Sequence, residues 1–376
     1  MKRKIIVFPA SKWQCDLIKY LKRKNYFVYS LDDDNNAIGH NFSSKRLNVN
    51  SKEIKKIRSF VKRNKCKIIS SCSDIGQKLV NKVNNKSNIL FNKYNQRLIQ
   101  KKLKFDIPFF KKDLVTSNDL KKFKKTILKP IYGSGSKNIF IIEKSKKKVK
   151  RKNYIFEEFI DGEEFNVDGF FYNKKFYLYA IMKKRKINNS LTVSYIMKSN
   201  ILNEKIINNL KNNLNSFFSK SKYPNGPVHA EVLMNKKDKK IFIVESHPRE
   251  AGFDLYYKLC KKITGLNLNS NTVNAKLGKK LKEIDLKSKN KFKYFCMRMI
   301  PMKKKGEIKN IYFSKLKKNK NIQVSTDLFV KPGDKVEYKS NDASRLGSIM
   351  CVSNRISNLE KYSKYILDKN FNLEYK

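Results

Sequence analysis

The chain has 376 residues, more than one hydrophobic core comfortably serves, so two or three domains are expected. Apolar residues make up 40%, which excludes global disorder, and no apolar run approaches the ~20 residues that cross a bilayer. Lys plus Arg number 86 against 32 Asp plus Glu, a formal net charge of +54. Lysine and asparagine fill helical and strand patterns alike, so compositional bias outweighs a dedicated nucleic-acid surface, and nucleic acid is not an expected partner.

Ile5-Ile6-Val7-Phe8, a polar turn and the helical pattern from Gln14 to Arg23 predict strand, loop and helix. Tyr26 to Leu31 is the next strand, Ser51 to Asn64 a helix, and Lys67-Ile68-Ile69 another strand. This alternation argues for a parallel sheet covered on both faces, without a G-x-G-x-x-G fingerprint. From about Asn92 the texture changes. A helix from Lys93 to Leu103 and another near Asn118 to Lys125 precede apolar runs cut by Gly and Asn turns. The runs at Ile127–Pro130, Asn138–Glu143, Tyr154–Ile160, Glu164–Phe171 and Lys175–Met182 carry an antiparallel signature. A helix from Asn203 to Ser219, strands Val228–Met234 and Ile241–Glu245, a charged stretch and a strand-rich end complete the chain. The six cysteines form no C-x-x-C pair, so reduced thiols and a soluble, cytoplasmic protein are expected.

Several segments carry chemistry-bearing residues. Lys129-Pro130-Ile131-Tyr132 runs into Gly133-Ser134-Gly135-Ser136-Lys137, a loop whose amides and hydroxyls can cradle phosphate, with Lys129 as a point charge; a plain hairpin has the same pattern. Tyr154-Ile155-Phe156-Glu157-Glu158-Phe159-Ile160 offers an apolar slot and backbone edge for a purine, with Glu164 available to ribose hydroxyls; a hairpin with solvated acids is the alternative. Glu231 and Glu245 lie on apolar strands that can pair as a hairpin and bring both acids to one side. Such acids suit a hard cation such as magnesium, with His247 on the same side; buried salt bridges to local lysines would also satisfy them. Arg249 provides a planar fork for carboxylate or phosphate. Lys93, opening its helix, means nothing alone.

In this order the segments resemble the ATP-grasp superfamily, in its L-amino acid ligase, biotin carboxylase and D-alanine–D-alanine ligase branch. The resemblance runs over about residues 1 to 360 and includes the late elements Asp327 to Asp334 and Arg345-Leu346-Gly347. It implies mixed α/β and α+β architecture: an N-terminal pre-ATP-grasp parallel-sheet domain over 1–92 and an ATP-grasp domain over 93–290. The latter's two subdomains have antiparallel sheets, the small lid subdomain covering about 127–160, and a C-terminal strand-rich region follows over 291–376. Lys93 and Lys129 match the family's phosphate-holding lysines, and Ser134, Gly135 and Ser136 its phosphate-covering loop. Glu157 to Ile160 matches the adenine hinge, read through the backbone of Glu158 and Ile160, and Glu164 the ribose acid. Glu231 and Glu245 match the magnesium ligands, with His247 where the family commonly has Asn, and Arg249 matches the arginine that steadies the acyl-phosphate.

The usual Gly-Gly after that arginine is Glu250-Ala251-Gly252 here, a departure expected to alter the substrate side. The implied activity is an ADP-forming carboxylate–amine ligase using ATP with Mg2+ or Mn2+. Its partners would be a small carboxylate and an amine, and a homodimer is an allowed assembly. A biotin-carboxylase-like or purine-pathway carboxylase and a non-catalytic ATP-binding protein are the alternatives.

Overall fold

Four short strands open the chain because Ile5, Ile6, Val7, Val28, Ile68 and Ile69 must be covered from both faces. They are β1 (Lys4–Val7), β2 (Phe27–Ser30), β3 (Lys45–Arg46) and β4 (Lys67–Ile69), paired in parallel in the order β3-β2-β1-β4. Helices α1 (Cys15–Arg23), α2 (Ile54–Arg63) and α3 (Asp74–Val83) lie among them. Leu17, Ile18 and Leu21 of α1 pack on Ile5 and Val7, while Ile57 of α2 and Leu79 of α3 pack on Ile6. The computed structural model describes residues 2–133, 138–143, 148–186, 193–198, 202–302, 304–314, 319–337 and 345–376.

After α4 (Lys93–Lys102), a small antiparallel sheet forms from β5 (Phe110–Val115), β6 (Lys125–Pro130), β7 (Phe140–Glu143) and β8 (Val149–Glu158), in the order β5-β8-β6-β7. The intervening helix α5 (Ser117–Lys121) is started by a Thr116/Asp119 capping box. It ends four residues before the expected Lys125, because Lys125 to Leu128 pair with Phe140 to Glu143 as sheet.

The large sheet begins with β9 (Gly162–Tyr172), β10 (Lys175–Lys186) and β11 (Val193–Lys198), then, beyond α6 (Glu204–Lys220), β12 (Gly226–Asn235) and β13 (Ile241–His247). A π-helical segment (Leu255–Cys260), α7 (Lys261–Thr264) and α8 (Leu268–Lys276) follow. The end of the chain supplies β14 (Tyr294–Pro301), β15 (Gly306–Phe313), β16 (Gln323–Leu328), β17 (Lys335–Val336), β18 (Arg345–Ser353), α9 (Leu359–Asn370) and β19 (Phe371–Tyr375). Eight of these strands join in the order β13-β12-β9-β10-β11-β14-β18-β16, so three C-terminal strands continue the central sheet. Phe217 and Phe218 of α6 pack with Phe171, Val228 and Val232 on one face; Tyr256 and Leu259 pack with Phe170 and Met182 on the other. The strand-rich end also contains α9, which buries Leu359, Ser363 and Ile366 at helical spacing.

One buried triad joins the small sheet, the large sheet and α4. Glu157, at the end of β8, has its Oε1 2.8 Å from Arg97 Nε and its Oε2 2.7 Å from Lys129 Nζ of β6. Arg97 also donates to the Ile243 and Val244 carbonyls of β13, at 2.7 and 3.0 Å. The preceding residue, Gln96, donates to the Ser246 carbonyl at 2.8 Å and accepts from its amide at 2.9 Å, so a side-chain amide stands in for a strand partner. Burial works against ionisation of Glu157, and Arg97 and Lys129 more than reverse that, holding its carboxyl below its ordinary value.

Removing one member of a buried ion pair leaves an uncompensated charge, so Arg97→Met should cost about 3–5 kcal/mol, measured as a loss of urea midpoint. Because the folded-state value of Glu157 is depressed, its contribution is full above the ordinary 4.5 and fades as pH falls through the lower folded value. The wild-type–variant difference should therefore shrink on acidification below that value. At the start of α3, a Cβ on Gly76 would lie 2.0 Å from Ser70 Oγ and 2.7 Å from the Phe8 carbonyl. Gly76→Ala should lower stability by about 1–3 kcal/mol through overpacking, seen as an earlier thermal melt.

Candidate active site

The candidate residues come together where α4 and the turn after β6 meet β10, β12 and β13. The Asn92 side chain caps α4 through the Asn95 amide, which fixes Lys93 as the first helical residue. Lys93 donates its backbone amide to the Ile131 carbonyl at 3.0 Å and its Nζ to the Gly133 carbonyl at 2.6 Å. The same Nζ is 2.9 Å from Glu245 Oε2. A lysine without meaning in isolation thus ties the strand-to-loop turn after β6 to an acid on β13.

Glu231 and Glu245 are direct register partners on β12 and β13, so their side chains share a face of the sheet. Asn166 of β9 is the next partner of Glu231 across the sheet. Glu231 Oε2 is 2.8 Å from Lys184 Nζ on β10. Burial opposes both acids' ionisation, but Lys184 holds Glu231, and Lys93 with His247 holds Glu245, well below the usual carboxylate range. Lys184 is raised in turn by Glu231 and Glu164 against the effect of burial. Its place in the run Lys183 to Lys186 hid it in the sequence: among 86 Lys and Arg nothing marked it as the partner of Glu231.

His247 lies between two carboxylates, Nε2 3.5 Å from Glu245 Oε1 and Nδ1 3.2 Å from Asp74 Oδ1. Burial lowers its affinity for a proton, and Asp74 and Glu245 together raise it above the ordinary value. Arg249 donates through Nε to the same Asp74 oxygen and through Nη1 to the Glu250 carbonyl at 2.8 Å. Asp74 belongs to α3 of the N-terminal sheet and was not singled out from the sequence. A Ser-Asp pair opening a helix is ordinary capping chemistry, and its partners lie about 175 residues away. His229 packs beside the acids, its Nδ1 3.0 Å from Asp168 Oδ1; against burial, Asp168 lifts the imidazole to about 9.

The remaining sequence candidates are spread along the cleft. Lys129 and Glu157 pair with each other in the buried triad. Glu158 donates its amide to the Phe109 carbonyl at 2.9 Å, whereas the Ile160 amide has no partner among the described residues. Glu164 meets Lys186 Nζ and lies 3.8 Å from Lys184 Nζ. Ser134, Gly135, Ser136 and Lys137 lie outside the described residues. Glu250 is fully buried, and its carboxylate takes the Cys72 amide at 3.2 Å, Lys276 Nζ at 2.8 Å and Tyr257 Oη at 2.9 Å.

Among the described residues, no group of three or more His, Cys, Asp or Glu side chains is arranged as a metal cage. Two hard carboxylates on one face suit a divalent cation that completes its shell with water or phosphate oxygens. The buried Asn166 Oδ1, beside Glu231 in register and without a hydrogen-bond partner, is a further hard oxygen. The donor set therefore fits magnesium. No helix of the described residues is long and apolar enough to cross a membrane.

Residues 137–255 match the family model for an ATP-grasp domain. No curated protein matches the sequence. Solved structures align over the full chain. Phosphoribosylglycinamide synthetase from Anaerococcus prevotii superposes with a TM-score of 0.80 at 17% identity, covering 100% of both chains. L-amino acid ligase from Bacillus licheniformis gives 0.78 at 16% identity, covering 100% of this chain and 99% of that one. The biotin carboxylase domain dimer of 2-oxoglutarate carboxylase from Hydrogenobacter thermophilus, solved with MgADP, ADP and bicarbonate, gives 0.73 at 12% identity, covering 100% and 91%. Residues 137–255 thus match an ATP-grasp domain, and the chain over its full length shares the fold of these solved structures.

Proposed function

We propose that the chain is an ATP-dependent ligase that activates a small carboxylate as an acylphosphate and joins it to an amine, releasing ADP and phosphate. The observation that carries this reading is the meeting of Lys93 Nζ with both Glu245 and the Gly133 carbonyl, beside the Glu231–Lys184 pair. Cations and hard acids from α4, β10, β12 and β13 converge there.

Each of these cations is held by a carboxylate: Lys93 by Glu245, Lys184 by Glu231, Lys129 by Glu157 and Arg249 by Asp74. Such pairing keeps ammonium and guanidinium groups charged and oriented inside a poorly solvated cleft. Glu231 and Glu245 would hold magnesium, which supplies positive charge to the phosphates. With those acids so engaged, Lys93 and Lys184 turn to phosphate oxygens, an exchange of one anionic partner for another. Lys129 remains at the phosphate end of β6, and the strand end after Glu157 presents the backbone of Glu158 and Ile160 to the adenine edge. Glu164 accepts from the ribose hydroxyls.

The substrate carboxylate attacks the γ-phosphorus, ADP leaves, and the amine then displaces phosphate from the acylphosphate. Arg249 steadies the negative charge on the acyl-phosphate and on the tetrahedral adduct. The protein's contribution is position and charge, so no side-chain nucleophile is needed.

ADP release by the purified chain, screened against amino acids and small carboxylates with and without an added amine, tests the reading directly. Glu245→Gln should reduce that release at least about 100-fold with an unchanged circular dichroism spectrum, since it removes charge and little volume. Near-normal ADP formation in this variant would refute the metal assignment. Lys129→Ala should weaken ATP binding by about tenfold or more, measured by nucleotide titration; unchanged affinity would count against its phosphate role.

A further inference from the structure

The reaction as proposed draws its groups from the central sheets, yet a side chain of the N-terminal sheet domain also reaches the cleft. Asp74 opens α3, where the Ser73 hydroxyl accepts from the Gly76 amide. Its side chain is only 9% exposed, and its cationic partners come from across the domain boundary. Arg249 meets Asp74 Oδ1 through Nε, and the Glu250 carbonyl fixes Nη1 at 2.8 Å. His247 Nδ1 lies 3.2 Å from the same Oδ1. Two of the three guanidinium nitrogens are thereby engaged, while no described residue accepts from Nη2. A planar fork fixed at two corners presents its third nitrogen in one direction.

A second tie sits two residues earlier. Cys72 donates its amide to the buried Glu250 carboxylate, which Lys276 and Tyr257 also hold. The segment leading into α3 is thus clamped to the end of β13 at two points, one of which is the arginine itself.

We propose that Asp74 is a positioning residue: it fixes the Arg249 fork so that Nη2 meets the acyl-phosphate oxygens, making the docked N-terminal domain a working part of the active site. This rests on the ligase reading. Asp74 touches neither Lys93 nor Glu157, so nucleotide binding should not depend on it. The two requirements can be separated by measurement.

The test uses the full chain, MgATP, and the carboxylate that gives most ADP in the panel. Asp74→Asn should lower kcat about 100-fold, the scale of a small misplacement at a reacting centre, with MgATP affinity and the KM for ATP within about twofold of wild type. Asp74→Glu, which restores the charge one methylene further out, should recover about tenfold of that loss. The Arg249 Nε–H resonance, assigned by its disappearance in Arg249→Lys, should be protected from exchange in the wild type and lost in Asp74→Asn. Wild-type kcat in Asp74→Asn overturns the inference, as does an Nε–H signal indifferent to the substitution. Parallel losses of melting temperature, MgATP affinity and kcat without rescue by Glu also overturn it, leaving Asp74 a merely structural acid. A wild-type chain that releases no ADP with any carboxylate overturns the ligase reading itself, and this inference with it.

Discussion

The buried carboxylate of Glu157 is the constraint around which the two sheets are arranged. A lone carboxylate at 3% exposure would lose its proton only at great cost, so it demands cations, and cations at that depth demand an acid. Arg97 and Lys129 meet that demand from α4 and β6. Arg97 has donors to spare and spends them on two carbonyls of β13, the strand that ends in Glu245 and His247. The geometry of one ion triad thereby sets the distance between the small sheet and the strand carrying the candidate metal acid. Lysine in place of Arg97 could neutralise the charge but could not fork to both β8 and β13 in this planar geometry.

The same logic, repeated nearer the opening, gives the cleft its chemical character. Lys93 and Lys184 are buried with an acid each, while most of the described lysines and arginines are at least partly exposed. The formal charge of +54 therefore says little about the site. Exposed lysines act at a distance that salt screens within about 8–10 Å. The paired ones act at contact in a medium that screens poorly. A site built of matched pairs is also poised for exchange, since an incoming anion and cation replace partners without stranding any charge.

The sequence conveyed those parts of this arrangement that depend on local pattern. Alternation in His229 to Met234 and Ile241 to His247 put Glu231 and Glu245 on one face of a hairpin, and the register pairs them directly. The parallel N-terminal sheet followed from the spacing of its apolar runs. What stayed hidden depends on long-range pairing. Arg97 and Glu157 are 60 residues apart, Arg249 and Asp74 175 apart, and neither Arg97 nor Asp74 differs locally from many solvated neighbours. Lys184 was masked by the lysines around it. The continuation of the central sheet into β14, β18 and β16 was equally invisible, because a strand's pattern tells which face is buried and not which neighbour it joins. Helix α9 is different: Leu359, Ser363 and Ile366 carry a helical period within a region otherwise dominated by strand signals.

The two departures from the pattern that the resemblance implies both meet the segment that leads into α3. Glu250, where the resemblance implies glycine, is held by Cys72, Lys276 and Tyr257. His247, in place of asparagine, spans the space between Asp74 and Glu245 with a nitrogen toward each. An asparagine there would bring both an NH2 donor and a carbonyl oxygen. With acids on both sides, that oxygen would face one of them without a proton to share. A protonated imidazole offers a donor at each end, and both flanking carboxylates favour that protonated form. The histidine is thus the residue that suits an acid entering from α3, and the departure is better explained by Asp74 than by a change of metal.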